Sequence, residues 1–454
     1  MAISLSAMAG GYLTNTNQHI SFLRMVARGA TSDIDAVYSN PAGLVWSPKN
    51  GWSLSVNIQN AAQHRDIDAK YAIYDYSGYK AGVSAAPTTE NYKKKYKGDA
   101  SAPIIPSFFA TYKTNRLVFS GSFAVVGGGG KASYDEGLPM FDSAIRFGLA
   151  NNSQLAGIKS LVGASSVSDL YDLNTAMNGS QFIYGIQLGV SYKILDWLSA
   201  YVGGRMNYFT GGYDGYVDAV MKNSYASAVG MTDRSLYHLE LDCDQTGWGL
   251  TPILGLSAKY KHLSVGLKYE FLTNLNLENK TKKNSDPDGV LSAFKHGVNT
   301  PNDIPAILSM AVGYDVLPTL RGTLEYHHYF DQEAGMAQEK QKYITHGTNE
   351  YALGVEWDAH KYITLSAGAQ ITDYGLSDNY QTDTSFSCDS YSIGFGAKLN
   401  LSKRAKVNIA YFWTTYDDYT KSYKNMTENV LSVEGTNVYK RTNKVFGVGL
   451  DYSF

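Results

Sequence analysis

From Trp52 to the C-terminus, apolar and polar residues alternate with a period of two. Trp52, Leu54, Val56 and Ile58 are interleaved with Ser53, Ser55, Asn57 and Gln59. Leu263, Val265, Leu267, Tyr269 and Phe271 are interleaved with Ser264, Gly266, Lys268 and Glu270. Tyr391, Ile393, Phe395, Ala397 and Leu399 alternate with Ser392, Gly394, Gly396 and Lys398. Successive side chains of a strand point to opposite faces, so each run predicts a strand with one apolar and one polar face. The polar faces are rich in Gly and Ser and also carry charges.

The connections separate a soluble sandwich from a membrane barrel. Very short ones fall at residues 113–116, 195–197, 261–263, 317–319, 359–362 and 402–405. Between them lie long polar stretches near 60–103, 127–180, 211–247, 277–303, 331–348, 374–388 and 417–440. Short and long connections therefore alternate strictly, as tight periplasmic turns and long extracellular loops do in outer-membrane proteins. The pattern predicts an all-β fold: a membrane-spanning antiparallel β-barrel of about fourteen strands, each allowing the ~9–11 residues of a tilted crossing. An even strand number places both termini in the periplasm. Tyr112, Tyr192, Trp197, Tyr260, Tyr314, Trp357 and Tyr362 sit where strands meet turns, as interfacial rings would. The 139–177 stretch alternates poorly and predicts short helices within one extracellular loop.

Composition adds less. The 454 residues include 36 Tyr and 44 Gly but 11 Pro, with a net charge of −2. That balance, without a long block of like charge, gives no reason to expect nucleic acid. The absence of ~20 continuous apolar residues says nothing against a barrel, whose alternation halves the hydropathy of each strand. Residues 1–9 (MAISLSAMA) end in a small-x-small triplet and read as the remainder of a signal peptide. Cys243 and Cys388 could pair, although spacing does not decide it, and neither has the spacing of a metal ligand. His327 and His328 are adjacent and would face opposite sides of a strand. With no phosphate loop or nucleophile elbow, neither catalysis nor a cofactor is expected. The final strand carries Phe446, Val448, Leu450, Tyr452 and Phe454 on one face, and its terminal Phe454 resembles the signal read by the barrel assembly machinery.

Residues 10–51 do not alternate and are long enough to fold into the lumen as a plug ahead of a barrel at 52–454. A short helix is expected from Ile20 to Ala27, ended by Gly29, and an Asn-Pro turn at Asn40-Pro41. The run Arg28-Gly29-Ala30 … Asp33-Ile34-Asp35-Ala36-Val37-Tyr38-Ser39-Asn40-Pro41-Ala42-Gly43-Leu44 resembles the N-terminal hatch of the FadL-type transporters for long-chain fatty acids and the related TodX-type aromatic-hydrocarbon channels. Asn40, Pro41 and Ala42 match the NPA motif of that family.

The resemblance implies passive uptake of a hydrophobic small molecule, gating by the hatch around Asn40, Pro41 and Ala42, and sideways release into outer-membrane lipid beside a kinked third strand. Here that strand would cover residues 117–126. Gly121, or the run that includes Gly127 and Gly128, could break its pairing. Among lumen-facing ionisable residues, Arg205, Lys268 or Arg321 could hold a carboxylate, or could belong to ion pairs that stiffen the barrel. The loop positions that bind fatty acid in the family's best-known members have no counterpart. A hatch-plus-barrel scaffold for a protein partner, as in a secretion complex, is the alternative reading.

Overall fold

The computed structural model describes Thr14 and residues 18–77, 87–286, 289–427 and 429–454. The expected leader at residues 1–9 lies outside the described residues. Eighteen strand segments form one sheet. It closes on itself because β1 (Gly51–Asp75) pairs antiparallel with β18 (Val430–Ser453), from Ser53↔Ser453 to Ile73↔Val433. Several positions in the ring hold two segments in tandem. β2 (Thr88–Tyr96) and β3 (Asp99–Thr114) both pair with β1, and β8 (Leu263–Glu270) and β9 (Asn276–Ser285) both pair with β7 (Ser235–Tyr260). β10 (Asn299–Pro301) precedes β11 (Ile307–Leu317) in the same way, as β16 (Ala405–Tyr416) precedes β17 (Tyr419–Thr427). The result is a closed antiparallel barrel of 14 strands. All six short connections fall where expected, following Thr114, Lys193, Tyr260, Leu317, His360 and Asn400.

Strands run far past the length of a membrane crossing: β1 has 25 residues and β7 has 26. Much of the stretches expected as loops near 60–103, 211–247 and 417–440 is therefore ladder. The reason is an inversion of polarity along the strand. In the lower half of β1, Trp52, Leu54, Val56 and Ile58 point outward and are exposed, while Ser55, Asn57 and Gln59 point inward and are buried. Above Arg65 the same inward face carries Ile67, Ala69, Tyr71 and Ile73, all buried. The outward face there carries Asp66 and Asp68, ion-paired with Lys95 and Lys440. β7 inverts likewise, with Trp248, Leu250, Leu254 and Leu256 outward below and Leu239, Leu241 and Cys243 inward above. The lower half matches a wall between lipid and a polar lumen, and the upper half a water-soluble barrel with an apolar core.

The helices expected within 139–177 are Pro139–Ala150 and Ser153–Val162, and they pack over this upper core. Cys243 and Cys388 are both free and buried. Seven belt aromatics, Tyr112, Tyr192, Trp197, Tyr260, Tyr314, Trp357 and Tyr362, are exposed beside the short turns.

Residues 18–46 lie inside the lower barrel, most of them buried and none exposed. The first helix is only Ile20–Arg24, shorter than expected. At Met25 the backbone becomes extended (φ −157°, ψ 104°), because the chain flattens against a wall floored by glycine. A Cβ on Gly394 would lie 2.3 Å from the Leu23 carbonyl oxygen, and one on Gly368 2.9 Å from the Val26 nitrogen. The glycines on the polar face of the alternation thus leave room for the plug. Gly394→Val is expected to overpack this contact and cost about 1–3 kcal/mol. The barrel should still show heat-shifted electrophoretic migration, while amide exchange across residues 20–27 speeds up.

Candidate functional site: a cavity above the hatch and beside a break in the wall

The hatch is held by apolar packing against wall residues such as Phe412, Val445, Phe109 and Val118, and by polar contacts with the wall. Glu356 bridges two of its arginines, through Arg24 Nη1 at 2.7 Å and Arg28 Nη1 at 3.1 Å. Arg28 also forms a fork with Asp35 at 2.7 and 2.9 Å. Asp33 lies beside Lys398 at 3.4 Å, and that ammonium holds the Asp33 carboxyl well below the usual carboxylate range. Backbone groups that form no ladder are satisfied by wall side chains, as burial requires. Gly29 N–H donates to Glu325, the Val37 carbonyl accepts from Gln187, and the Tyr38 carbonyl accepts from Lys268.

The Asn40-Pro41-Ala42 turn is anchored in the same manner. Asn40 Nδ2 donates to the Thr31 carbonyl at 3.0 Å, which closes the turn internally. The Pro41 and Ala42 carbonyls accept from Ser191 Oγ and Ser199 Oγ, each at 2.7 Å. The turn therefore touches two neighbouring strands through its backbone, so a change in its conformation would be felt by both.

The cations considered for a ligand carboxylate are already committed. Arg205 is fully buried and ion-paired with Glu270, and Lys268 reaches the same carboxylate at 2.7 Å while lying 4.4 Å from the centre of the Tyr38 ring. Arg321 pairs with Asp358 at 2.9 Å, near the periplasmic-type turns. The structure thus places Arg205 and Lys268 in a buried ion-pair group on Glu270, Lys268 also bonding the hatch, and Arg321 in a more exposed pair, and none of the three lines the cavity above the hatch.

That cavity, of about 160 Å³, lies above the hatch. Its lining includes Leu23 of the hatch, Gln59, Gln63 and Arg65 of β1, Arg441 and Asn443 of β18, and Phe182 and Tyr213 on the opposite side. Arg65 and Arg441 are direct cross-strand partners. Arg441 stacks 4.5 Å from the centre of the Tyr416 ring and makes no ion pair among the described residues. Arg65 stacks 4.6 Å from the Phe386 ring and donates to the Phe386 carbonyl. Phe386 belongs to an inward-folded loop, 374–389, that roofs the cavity through Thr384 and meets Thr14 through Tyr374 at 2.6 Å. Sequence reasoning missed both arginines: Arg65 falls in the stretch 60–103 that read as a loop, and Arg441 follows directly on the one at 417–440. The signal that could have found them was phase: Arg65 continues the inward face of Ser55, Asn57, Gln59 and Gln63.

One flank of the cavity is a break in the wall. β3 pairs with β4 (Leu117–Tyr134) at Ser101↔Lys131 and again at Ser107↔Ala124, with no pairing between residues 102–106 and 125–130. The other edge of β4 is irregular against β5 (Tyr171–Lys193), with register shifts at Val125/Gly127 and Gly127/Gly130. Gly128 has φ +100°, and a Cβ there would lie 2.2 Å from the Gln181 carbonyl oxygen. Gly127 and Gly128 line the cavity. Gly121 is different: it sits in regular ladder between Ala110 and Leu188, below the break.

These features define a hatch-plugged β-barrel with an internal cavity beside an interrupted strand pair. Structural comparison places the fold with the FadL-type channels. A FadL homologue from Pseudomonas aeruginosa superposes with a TM-score of 0.65 at 15% identity, covering 98% of this chain and 100% of that one. The toluene transporter TodX of Pseudomonas putida gives 0.55 at 12% identity, covering 98% and 100%. The toluene transporter TbuX of Ralstonia pickettii gives 0.50 at 12%, covering 92% and 94%. No family model matches the sequence, and a search of curated proteins found no match.

Glu356→Gln should strip two buried hatch guanidiniums of their shared carboxylate, and removing one partner of a buried pair costs about 3–5 kcal/mol. Hydrogen exchange should show residues 20–39 losing protection while the strands keep theirs. Unchanged protection of the hatch would mean that Asp35 and the backbone contacts hold it alone.

Proposed function

We propose that this chain is an outer-membrane channel for passive uptake of a hydrophobic compound that carries one anionic end, such as a long-chain fatty acid. The observation that carries the reading is the cavity itself. It sits between a plugged lumen and a roofing loop, borders the break between β3 and β4, and is lined by the Arg65–Arg441 pair together with apolar surface. A polar solute would gain nothing from such a route. An apolar chain gains by leaving sideways, because it never crosses water on the way to the bilayer.

In this reading the anionic end rests at Arg441 and Arg65, and the chain points toward Ala102, Ile105 and Val125 at the break. Arg205, Lys268 and Arg321 serve the hatch and wall rather than the ligand. Movement around Asn40, Pro41 and Ala42 would alter the cavity floor, and Gly127 and Gly128 would keep the exit free of side chains. Both termini face the periplasm, and Phe454 is the residue offered to the assembly machinery. A scaffold for a protein partner would have no use for a cavity that opens through the wall.

Purified protein is expected to bind a long-chain fatty acid and its methyl ester. Arg441→Gln should weaken the acid about tenfold, equivalent to ~1.4 kcal/mol, and leave the ester unchanged. Equal loss for both compounds would remove the headgroup role, and binding of neither would remove the channel reading.

The exit can be tested separately. β3 holds one residue more than β1 between the pairs Gln59↔Ile105 and Ala61↔Ala102. Across the break itself β4 holds one residue more than β3, 125–130 against 102–106, so deleting Gly128 should even these two strands and narrow the break. Cellular uptake is then expected to fall while binding to purified protein persists; uptake at the wild-type rate would rule out release at this point.

A further inference from the structure

A second pocket lies at the opposite end of the wall, on the side of the short turns. Its volume is about 80 Å³, and it is enclosed by the end of the hatch at Ser47–Lys49, the start of β1, the end of β3, the 401–404 turn and the end of β18. Five cations line it: Lys49, Lys113, Lys403, Arg404 and Lys406. Only two carboxylates do, and both are engaged elsewhere. Asp33 faces Lys398 at 3.4 Å and Arg28 at 3.6 Å, with Lys406 at 4.0 Å. Asp451 accepts from Ser55 Oγ at 2.7 Å and Asn408 Nδ2 at 2.8 Å, with His19 at 3.3 Å.

The remaining cations have only neutral company. Lys49 donates to the Lys403 carbonyl, and Lys113 to the carbonyls of Val45 and Ser47. Among the described residues, Lys49, Lys113, Lys403 and Arg404 make no ion pair. Four cations without an ion pair of their own gather around one hollow whose two carboxylates are shared with other cations, so they repel one another, and an anion is what relieves them. The surroundings say which kind. Leu54 reaches the pocket from the lipid-facing side, and aromatic pairs stand next to it: exposed Trp52 with exposed Tyr112 at 5.0 Å, and half-buried Tyr452 with exposed Phe454 at 4.9 Å. Such rings mark the level of lipid headgroups.

We propose that this pocket binds an anionic phospholipid of the inner leaflet, its phosphate held by Lys403, Arg404 and Lys49 and its chains lying along Leu54 and Trp52. The lipid would fasten the end of the hatch, where Lys49 sits, to the 401–404 turn. The assignment of leaflet rests on the orientation proposed above; the chemistry of the site does not.

The test is native mass spectrometry of the full chain in mild detergent, titrated with phosphatidylglycerol or phosphatidylcholine, with inorganic phosphate as competitor. Phosphatidylglycerol adducts should dominate and survive excess phosphate. The Lys403→Gln/Arg404→Gln variant should reduce them about tenfold or more without changing phosphatidylcholine adducts. If that turn variant fails to assemble, as judged by heat-shifted migration, Lys49→Gln is measured and should shift adducts the same way. Equal binding of both lipids, or variants that bind like wild type, would overturn the proposal. Full displacement by phosphate would also overturn it, assigning the hollow to a free anion. Fatty-acid binding measured on the same samples keeps the two ideas apart, since loss of lipid with intact fatty-acid binding concerns this pocket alone.

Discussion

Inside hydrocarbon a backbone amide has no partner except another strand, so a spanning sheet must close and stay paired. The long β1–β18 ladder meets that demand, and it gives each interruption elsewhere a meaning. At the junction of β8 and β9 the wall is also irregular, but there Thr273 and Ile304 exchange backbone bonds and Gly249 packs onto the Asn274 carbonyl. Among the described residues the break between β3 and β4 has no ladder pairing from 102–106 to 125–130, and it backs onto the cavity above the hatch. Its height reconciles it with the closure rule. β1 reaches this level at Gln59 to Ala61, just above Ile58, the last residue of its exposed apolar run. Backbone groups without a partner across β3 and β4 can meet headgroups and water at the rim of the belt, which they could not do at its centre.

The lumen obeys a related constraint. A ring of this width encloses space that side chains of the wall cannot fill alone. The plug that fills it carries non-ladder backbone, so each of its carbonyls and amides needs a side-chain partner. Ser191, Ser199, Gln187, Lys268 and Glu325 supply several of them from four different strands. Glu356 and Glu325 then tie charge on the wall to the plug. Buried ion pairs of this kind are weak evidence of net stability, but they discriminate strongly against a shifted plug, because any slip leaves a charge buried alone. Of the wall cations, Arg205 and Lys268 are consumed in pairing with Glu270.

Much of the fold was legible because the governing signals are local. Period-two alternation, six tight turns and a non-alternating N-terminal segment each depend on a few neighbouring residues. The upper strands were not legible, since past Arg65 the outward face turns charged and the inward face apolar, and a window over residues 60–75 then averages to a polar loop. The first helix was overestimated because Met25 to Ala27 are apolar for a tertiary reason, namely contact with Gly354 and Gly368. The cavity was invisible for the most general reason. Arg65, Val125, Gln181 and Arg441 share no sequence neighbourhood, and only barrel closure brings them together.

Closure also explains why the cavity sits at this height. Below it the interior is polar and occupied by the plug; above it the interior is the apolar core built on Ile67, Tyr71, Leu241 and Tyr439. Arg65 and Arg441 stand at the crossover, each laid against an aromatic ring of the upper core. A charge placed there keeps one side toward polar wall groups such as Gln63 and Asn443 and the other toward rings. A molecule with an anionic end and an apolar body matches that boundary better than a wholly polar or wholly apolar one, since each of its halves finds its own kind of surface. The inversion that lets the strands leave the membrane is, on the proposed function, the same feature that sorts the ligand.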